Sequence, residues 1–410
     1  MKSAIAPLRA ALCLGPLTLA ACASDTIGND LFTARDSAGV RIVEFDSSAA
    51  SRVAQWTTAS EPDLRIDNRE DDPRYQFFFI TDAIPIPSGI AVAVSGANEI
   101  RIYNEAGVHV RTIGRAGEGP GEFGSIGWLQ SLGADTIVAY DRGLSRISVF
   151  DVNGELVRDV AIHRTPASLE REAMQGPQPR GILADGSVLV ALYVSPTRLD
   201  GLYRPPVRLH RYAADGTPGD SIASGSGDDI YILPQGDGRA VVMRPPFARI
   251  TGFLAAHDGF WIADTDAYEL RRHDTEGVLR LIVRRTQTGA PVTPDLLDTF
   301  LAARLAAYPA GPQREEAREL ASRIAVHKTL PGFSVAHVAA DGRVWVRDYT
   351  VPEEDSHSWS VFSRNGELEG RVNIPPTLRV LRFGTNDVIG VLTDDLDRES
   401  IARYRFEQIR

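Results

Sequence analysis

A chain of 410 residues with a net charge of −10 and no lysine or arginine clusters is poorly suited to a phosphate backbone, so no nucleic-acid partner is expected. Hydrophobic residues make up 43%, charged residues 24%, with 36 Gly and 25 Pro; this is a turn-rich globular composition, neither disordered nor membrane-spanning. Length alone suggests two or three domains, but repeat folds run longer as one unit.

In chain order, residues 1–21 read as a processing signal. Lys2 and Arg9 form a positive n-region, and Ala10 to Leu19 a short apolar run containing Gly15 and Pro16. That run is too short to cross a bilayer as a helix. It ends in Leu19-Ala20-Ala21-Cys22, which resembles the bacterial lipobox. The resemblance implies that Cys22 becomes the acylated first residue and ties the chain to a membrane. An ordinary secretory signal with an unrelated cysteine is the plain alternative. Ala23 and Ser24 follow the cysteine, a pattern that by the same resemblance permits sorting to the outer membrane of diderm bacteria. The expected location is therefore the cell envelope, lipid-anchored, with residues 22–30 as a polar tether and 31–410 as the folded part. Cys13 would leave with the signal, and an acylated Cys22 forms no disulfide, so the mature fold holds without cross-links.

One pattern then recurs: a short apolar strand, a turn ending in Gly, and another strand. The turns are Asn104-Glu105-Ala106-Gly107, Asp151-Val152-Asn153-Gly154, Ala213-Ala214-Asp215-Gly216, Asp274-Thr275-Glu276-Gly277 and Ser363-Arg364-Asn365-Gly366, with a sixth at Asp36-Ser37-Ala38-Gly39. A ring precedes each of the first five: Tyr103, Phe150, Tyr212, His273 and Phe362. Terminal Gly supplies a positive φ, and a leading Asp or Asn bonds its own backbone. Upstream of each lies a β-branched or aromatic run such as Ile90–Val94 or Thr136–Tyr140, often entered through a second turn such as His257-Asp258-Gly259. Four antiparallel strands per unit make a β-propeller blade. The last unit supplies only three strands before the chain stops, and the early hairpin around Gly39, with Val40–Asp46, is expected to complete it. The count is six blades, all-β, closed by an N-terminal strand.

Two stretches break the rhythm. Residues 225–246 carry an extra hairpin-like element ending in Pro245-Pro246. Residues 293–328 are helical: Thr293-Pro294-Asp295 is an N-cap signature, followed by Leu296, Leu297, Phe300, Leu301 and Leu305 at helical spacing. After Pro309-Ala310-Gly311-Pro312 a second helix starts near Gln313, with Ala317, Leu320 and Ile324 as its packing stripe. This insertion, between blades four and five, either docks on the rim or covers the central channel.

The segment Thr112-Ile113-Gly114-Arg115-Ala116-Gly117-Glu118-Gly119-Pro120-Gly121-Glu122-Phe123 resembles the inter-blade signature of NHL-repeat six-bladed propellers. Asp36 to Glu44 likewise resembles the start of uncharacterised bacterial six-bladed propeller lipoproteins. The resemblance implies the fold and leaves the function open, because such propellers include binding scaffolds, sensors, lyases and lactonases.

Residues that could carry chemistry are few. The glycine-rich loop Gly117–Gly121 holds two carboxylates in its neighbourhood and no Lys, and no helix follows, so it reads as a turn between blades rather than a phosphate cradle. The eight histidines stand singly, and no transition-metal motif is present. His273 sits in the ring position before a turn and reads as packing; His337, on an inner strand of blade five, is the histidine placed to face the channel. Asp141, Asp264, Asp266 and Asp348 recur at the ends of second strands, where they either cap their own turns or converge on Ca²⁺ or a cationic ligand. A complete repeat without a catalytic motif leads to a non-enzymatic scaffold that binds a peptide, glycan or envelope protein. The alternative is a Ca²⁺-dependent lactonase-like or lyase-like enzyme using these aspartates and His337 at the channel.

Overall fold

The computed structural model describes residues 27–28, 31–133, 135–164, 173–196, 200–234, 239–287, 289–351 and 356–409. The signal, Cys22 and most of the expected tether lie outside them. Ile27–Gly28 pairs with Phe32–Ser37, so the folded part reaches four residues further towards the N-terminus than expected.

Six radial sheets of four antiparallel strands form a six-bladed β-propeller. The innermost strands are Ile80–Ile86, Ile126–Ser131, Gln178–Ile182, Thr251–Ala256, Val335–Val338 and Leu378–Phe383, for blades one to six. Second strands such as Gly89–Val94 are buried on every residue, because neighbouring blades cover both faces of each sheet. Apolar clusters accordingly lie between blades rather than at the axis. Ile84, Ala93 and Ile102 of blade one, for example, meet Phe123, Ile126 and Ile137 leading into and within blade two. The rings before the turns do the same work: Tyr103, Phe150, Tyr212 and Phe362 are fully or almost fully buried. His273 stacks on Phe260 with ring centroids 4.9 Å apart, and burial pushes its pKa down to about 4, as the packing reading requires.

The ring is closed by an N-terminal strand, but a different one from that expected. Leu64–Ile66 pairs antiparallel with Glu399–Gln408 and is the fourth strand of blade six. The hairpin at Gly39 instead adds Val40–Phe45, in parallel, to Leu279–Arg285 on the outer edge of blade four. Between them, Ala54–Thr58 pairs in parallel with Leu368–Ile374 of blade five and touches the end of Glu399–Gln408. The N-terminal segment thus runs along the outer edges of blades four, five and six before entering blade one. The turn chemistry at Gly39 identifies a hairpin but cannot say which edge it joins, since all outer edges offer the same unpaired amides.

The two departures from the repeat are where the sequence places them. Ile230–Pro234 and Ala240–Met243 form the hairpin, joined by Gly201–Tyr203 into a separate three-stranded sheet. Helices α1 (Pro294–Ala306) and α2 (Pro312–Ser322) lie between blades four and five. Thr293 Oγ1 accepts from the Leu296 amide at 3.3 Å, with Pro294 in the first turn.

Candidate functional site

Each blade has two ends. At one, the hairpin turns join strands one to two and three to four; at the other, each outer strand crosses to the next blade. The hairpin insert and both helices belong to the crossover end.

There, over blades four to six, opens a cavity of about 660 Å³. Blade five contributes His337 from its inner strand, Arg347 and Tyr349 from the end of its second strand, and His357 and Trp359 from its third. The crossover into blade four adds Arg244 and Phe247, and blade six adds Arg379. Helix α1 supplies Phe300 and Arg304, so the insertion forms one wall of this cavity. The seat of α1 is fixed by Phe300 against Phe247, with centroids 4.7 Å apart, and by Arg304 Nη1 donating to the Arg244 carbonyl at 3.3 Å. Downstream, His327 Nε2 lies 2.7 Å from the buried Asp229 carboxylate, and Arg249 donates to the Thr329 carbonyl at 2.8 Å, tying the end of the insertion to the three-to-four crossover.

The electrostatics of the cavity oppose those of the chain. Four arginines (Arg244, Arg304, Arg347 and Arg379) line it, and no Asp or Glu does among the described residues. Arg244 and Arg304 have no carboxylate within ion-pair distance among those residues, whereas Arg379 is 2.8 Å from Glu399 at the margin. Arg347 donates to Ser334 Oγ at 3.1 Å and approaches His357 Nδ1 at 3.4 Å. His337 is wedged edge-on between Trp359 and Phe383, at 5.5 and 5.8 Å. Burial first, then the Arg382 and Arg347 guanidiniums, push its pKa down to about 4, so at neutral pH it is an uncharged imidazole. Burial raises the Tyr349 phenol above its ordinary value, which keeps it protonated.

Of the residues proposed from the sequence to carry chemistry (Asp141, Asp264, Asp266, His337 and Asp348), only His337 lies in this cavity. The four aspartates do not come together. Asp141 is fully buried and accepts from the Gly124, Ser125, Gly143 and Leu144 amides at 2.6 to 3.1 Å, the turn-holding role. Asp264 pairs with Arg204 at 2.6 Å, Asp266 with Arg249 at 3.1 Å, and Asp348 with Arg371. No group of three His, Cys, Asp or Glu side chains placed to hold a metal occurs among the described residues. Carboxylates committed to arginines and backbone amides do not make the oxygen cage that Ca²⁺ takes, so these aspartates do not fit the ion proposed for them. The loop at Gly117–Gly121 likewise turns inward: Glu122 Oε2 accepts from Gly119 at 2.8 Å and occupies the loop's own concavity. Sequence reading missed the arginines, because Arg244 and Arg304 come from two different crossovers and Arg347 and Arg379 from strands of two different blades, so no spacing links them. The helical stripe containing Phe300 was the one legible signal.

No protein-family model matches this chain, and neither does any curated protein. Among solved structures, an exported protein from Bacteroides fragilis is 11% identical, covering 87% of this chain and 99% of its own, with a TM-score of 0.46. Virginiamycin B lyase from Staphylococcus aureus is 10% identical over 83% and 98%, TM-score 0.37. Regucalcin, a calcium-binding protein from Agrobacterium tumefaciens, is 10% identical over 86% and 96%, TM-score 0.39. At such identities the likeness concerns the fold alone. One expectation is nevertheless corrected. The non-enzymatic reading rested on a propeller without a catalytic motif, and structures matched to this chain include lyases and a hydrolase by name.

Proposed function

We propose that this chain is a propeller enzyme that takes a small anionic substrate into the crossover-face cavity and acts on it by proton transfer. The observation that carries this reading is the convergence of four arginines on one cavity around a neutral histidine. Guanidiniums hold a carboxylate or phosphate and stabilise negative charge as it develops. His337, uncharged, is able to accept a proton, and the protonated Tyr349 phenol to return one. Phe247, Phe300 and Trp359 supply the apolar part of its wall. The chemistry fits lyase- or hydrolase-type reactions, in keeping with the enzymatic alternative drawn from the sequence but without its aspartate-held calcium. Leu19-Ala20-Ala21-Cys22 supports placing this enzyme outside the cytoplasm on a lipid anchor, and the segment from Thr112 to Phe123 supports a kinship with NHL-type propellers.

The test is exchange of α-protons from a panel of carboxylates in deuterated water, followed by NMR, alongside calorimetric binding of the same compounds. Wild type is expected to bind and exchange a subset, Arg347→Ala to bind them about tenfold more weakly, and His337→Gln to bind without exchanging. Equal binding of carboxylates and their neutral amides would sink the reading. For the anchor, Cys22→Ser is expected to move the protein from the membrane to the soluble fraction, and an unchanged distribution would remove that part.

A further inference from the structure

Beside the arginine cavity, on the same face, is a second hollow of about 590 Å³ walled by Phe79, Ile80, Ser125, Arg142 and Glu399. Arg379 borders both, so the two spaces are neighbours across one side chain. Glu399 fixes that divider: one oxygen receives Arg379 Nη2 at 2.8 Å and the other receives the Ile80 amide at 2.7 Å. Arg379 also donates to the Ile80 carbonyl at 2.9 Å.

The residue before Ile80 has no reason of folding to be what it is. Phe79 is 78% exposed and has a φ of +52°, the left-handed region that a bulky side chain rarely occupies. This conformation is imposed from outside. The Ser95 amide donates to the Phe79 carbonyl at 3.1 Å and the Gly96 amide to the Phe78 carbonyl at 3.0 Å. Position 96 is glycine because a Cβ there would stand 2.7 Å from Phe78 Cβ and from its carbonyl oxygen. Glycine or asparagine at position 79 would satisfy the backbone without strain. A phenyl ring presented to water on a fixed, strained backbone is the pattern of a ligand contact.

We propose that Phe79 is the specificity-determining residue of this site: the substrate is an amphipathic anion, its charged end held by the arginines and its aromatic or acyl part lying on Phe79 in the second hollow. The proposal rests on the anion-binding reading above. Arg379, between the two spaces, is placed for the junction of the charged and apolar parts.

The experiment compares butyrate with 4-phenylbutyrate, by calorimetry, on wild type, Phe79→Gly and Phe79→Tyr, together with each variant's thermal midpoint. Phe79→Gly is expected to weaken 4-phenylbutyrate about tenfold and leave butyrate unchanged. Phe79→Tyr is expected to retain both affinities, and the thermal midpoint of Phe79→Gly to equal or exceed that of wild type. The proposal is overturned if Phe79→Gly leaves 4-phenylbutyrate binding intact, weakens both anions equally, or lowers the midpoint by more than a few degrees. Butyrate binding without any effect at Phe79 sinks this inference alone. If wild type binds neither anion at millimolar concentration, the anion reading falls and this one with it.

Discussion

The two ends of this propeller are made by the same strands and differ in what joins them. At the hairpin end the connections repeat: Gly107, Gly154, Gly216, Gly277 and Gly366 each donate an amide at 2.9 or 3.0 Å to the carbonyl three residues back. Charges there bind blade to blade, as Arg211 of blade three binds Glu276 of blade four at 2.7 Å, and Asp258 of blade four binds Arg364 of blade five. At the crossover end the connections differ from blade to blade. Helix α1, four arginines, a neutral histidine and a strained phenylalanine come from different blades and crossovers and border two neighbouring hollows. Repetition marks where the chain solves a folding problem that every blade shares; departure from it marks where one ligand has to be met once.

That contrast breaks if scaffold positions tolerate change as well as cavity positions do. The largest effect is expected at the closing strand. Ile66 is almost fully buried and registers with Ile401, so Ile66→Asp places an unpaired charge in the seam between blades six and one. A loss of about 4 kcal/mol or more in urea unfolding is expected, and a loss under 1 kcal/mol would show that the ring is held elsewhere.

A pair of histidines sharpens the contrast. His273 at the hairpin end and His337 in the cavity are both held at about 4, below the value near 6.5 of an unfolded chain. The unfolded state therefore binds more protons between these values. The stability each neutral ring contributes is complete above about pH 6.5 and is lost as pH falls towards 4, at most about 3 kcal/mol apiece. Replacing either by Phe is expected to flatten the acid limb of a stability-versus-pH curve. Only His337→Phe is expected to abolish turnover; loss of activity in His273→Phe as well would erase the functional difference between the ends.

The smallest effect belongs to a single turn. Asn104 Oδ1 accepts from the Ala106 and Val108 amides, both at 3.0 Å. Asn104→Ala is expected to cost about 1 kcal/mol in thermal unfolding with ligand affinity unchanged. Altered affinity would mean that the two ends communicate.

What could be read from the residues follows the same division. Hairpin turns, second strands and the N-cap at Thr293 were legible because each is a local pattern: a positive φ at Gly107, an Asx bond at Asn104, an alternation or a helical period within a few residues. So was the number of blades, since a repeat is a local pattern copied. His337 was legible as an inner-strand residue, but not the seat between Trp359 and Phe383 that holds it. The aspartates misled because strand-end position says nothing about which arginine will reach them; Arg204, Arg249 and Arg371 were 60, 17 and 23 residues away.

By itself, then, the sequence determined the blade, its turns, the six-fold count and the place of the insertion, all set by short-range backbone preferences and hydrophobic period. Tertiary structure alone decided that Leu64–Ile66, not the hairpin at Gly39, closes the ring, and that Arg244, Arg304, Arg347 and Arg379 surround one space with His337. The reason is physical. Edge pairing and cavity electrostatics depend on which distant surfaces meet, and a chain of interchangeable blades has many edges that would satisfy the same local rules.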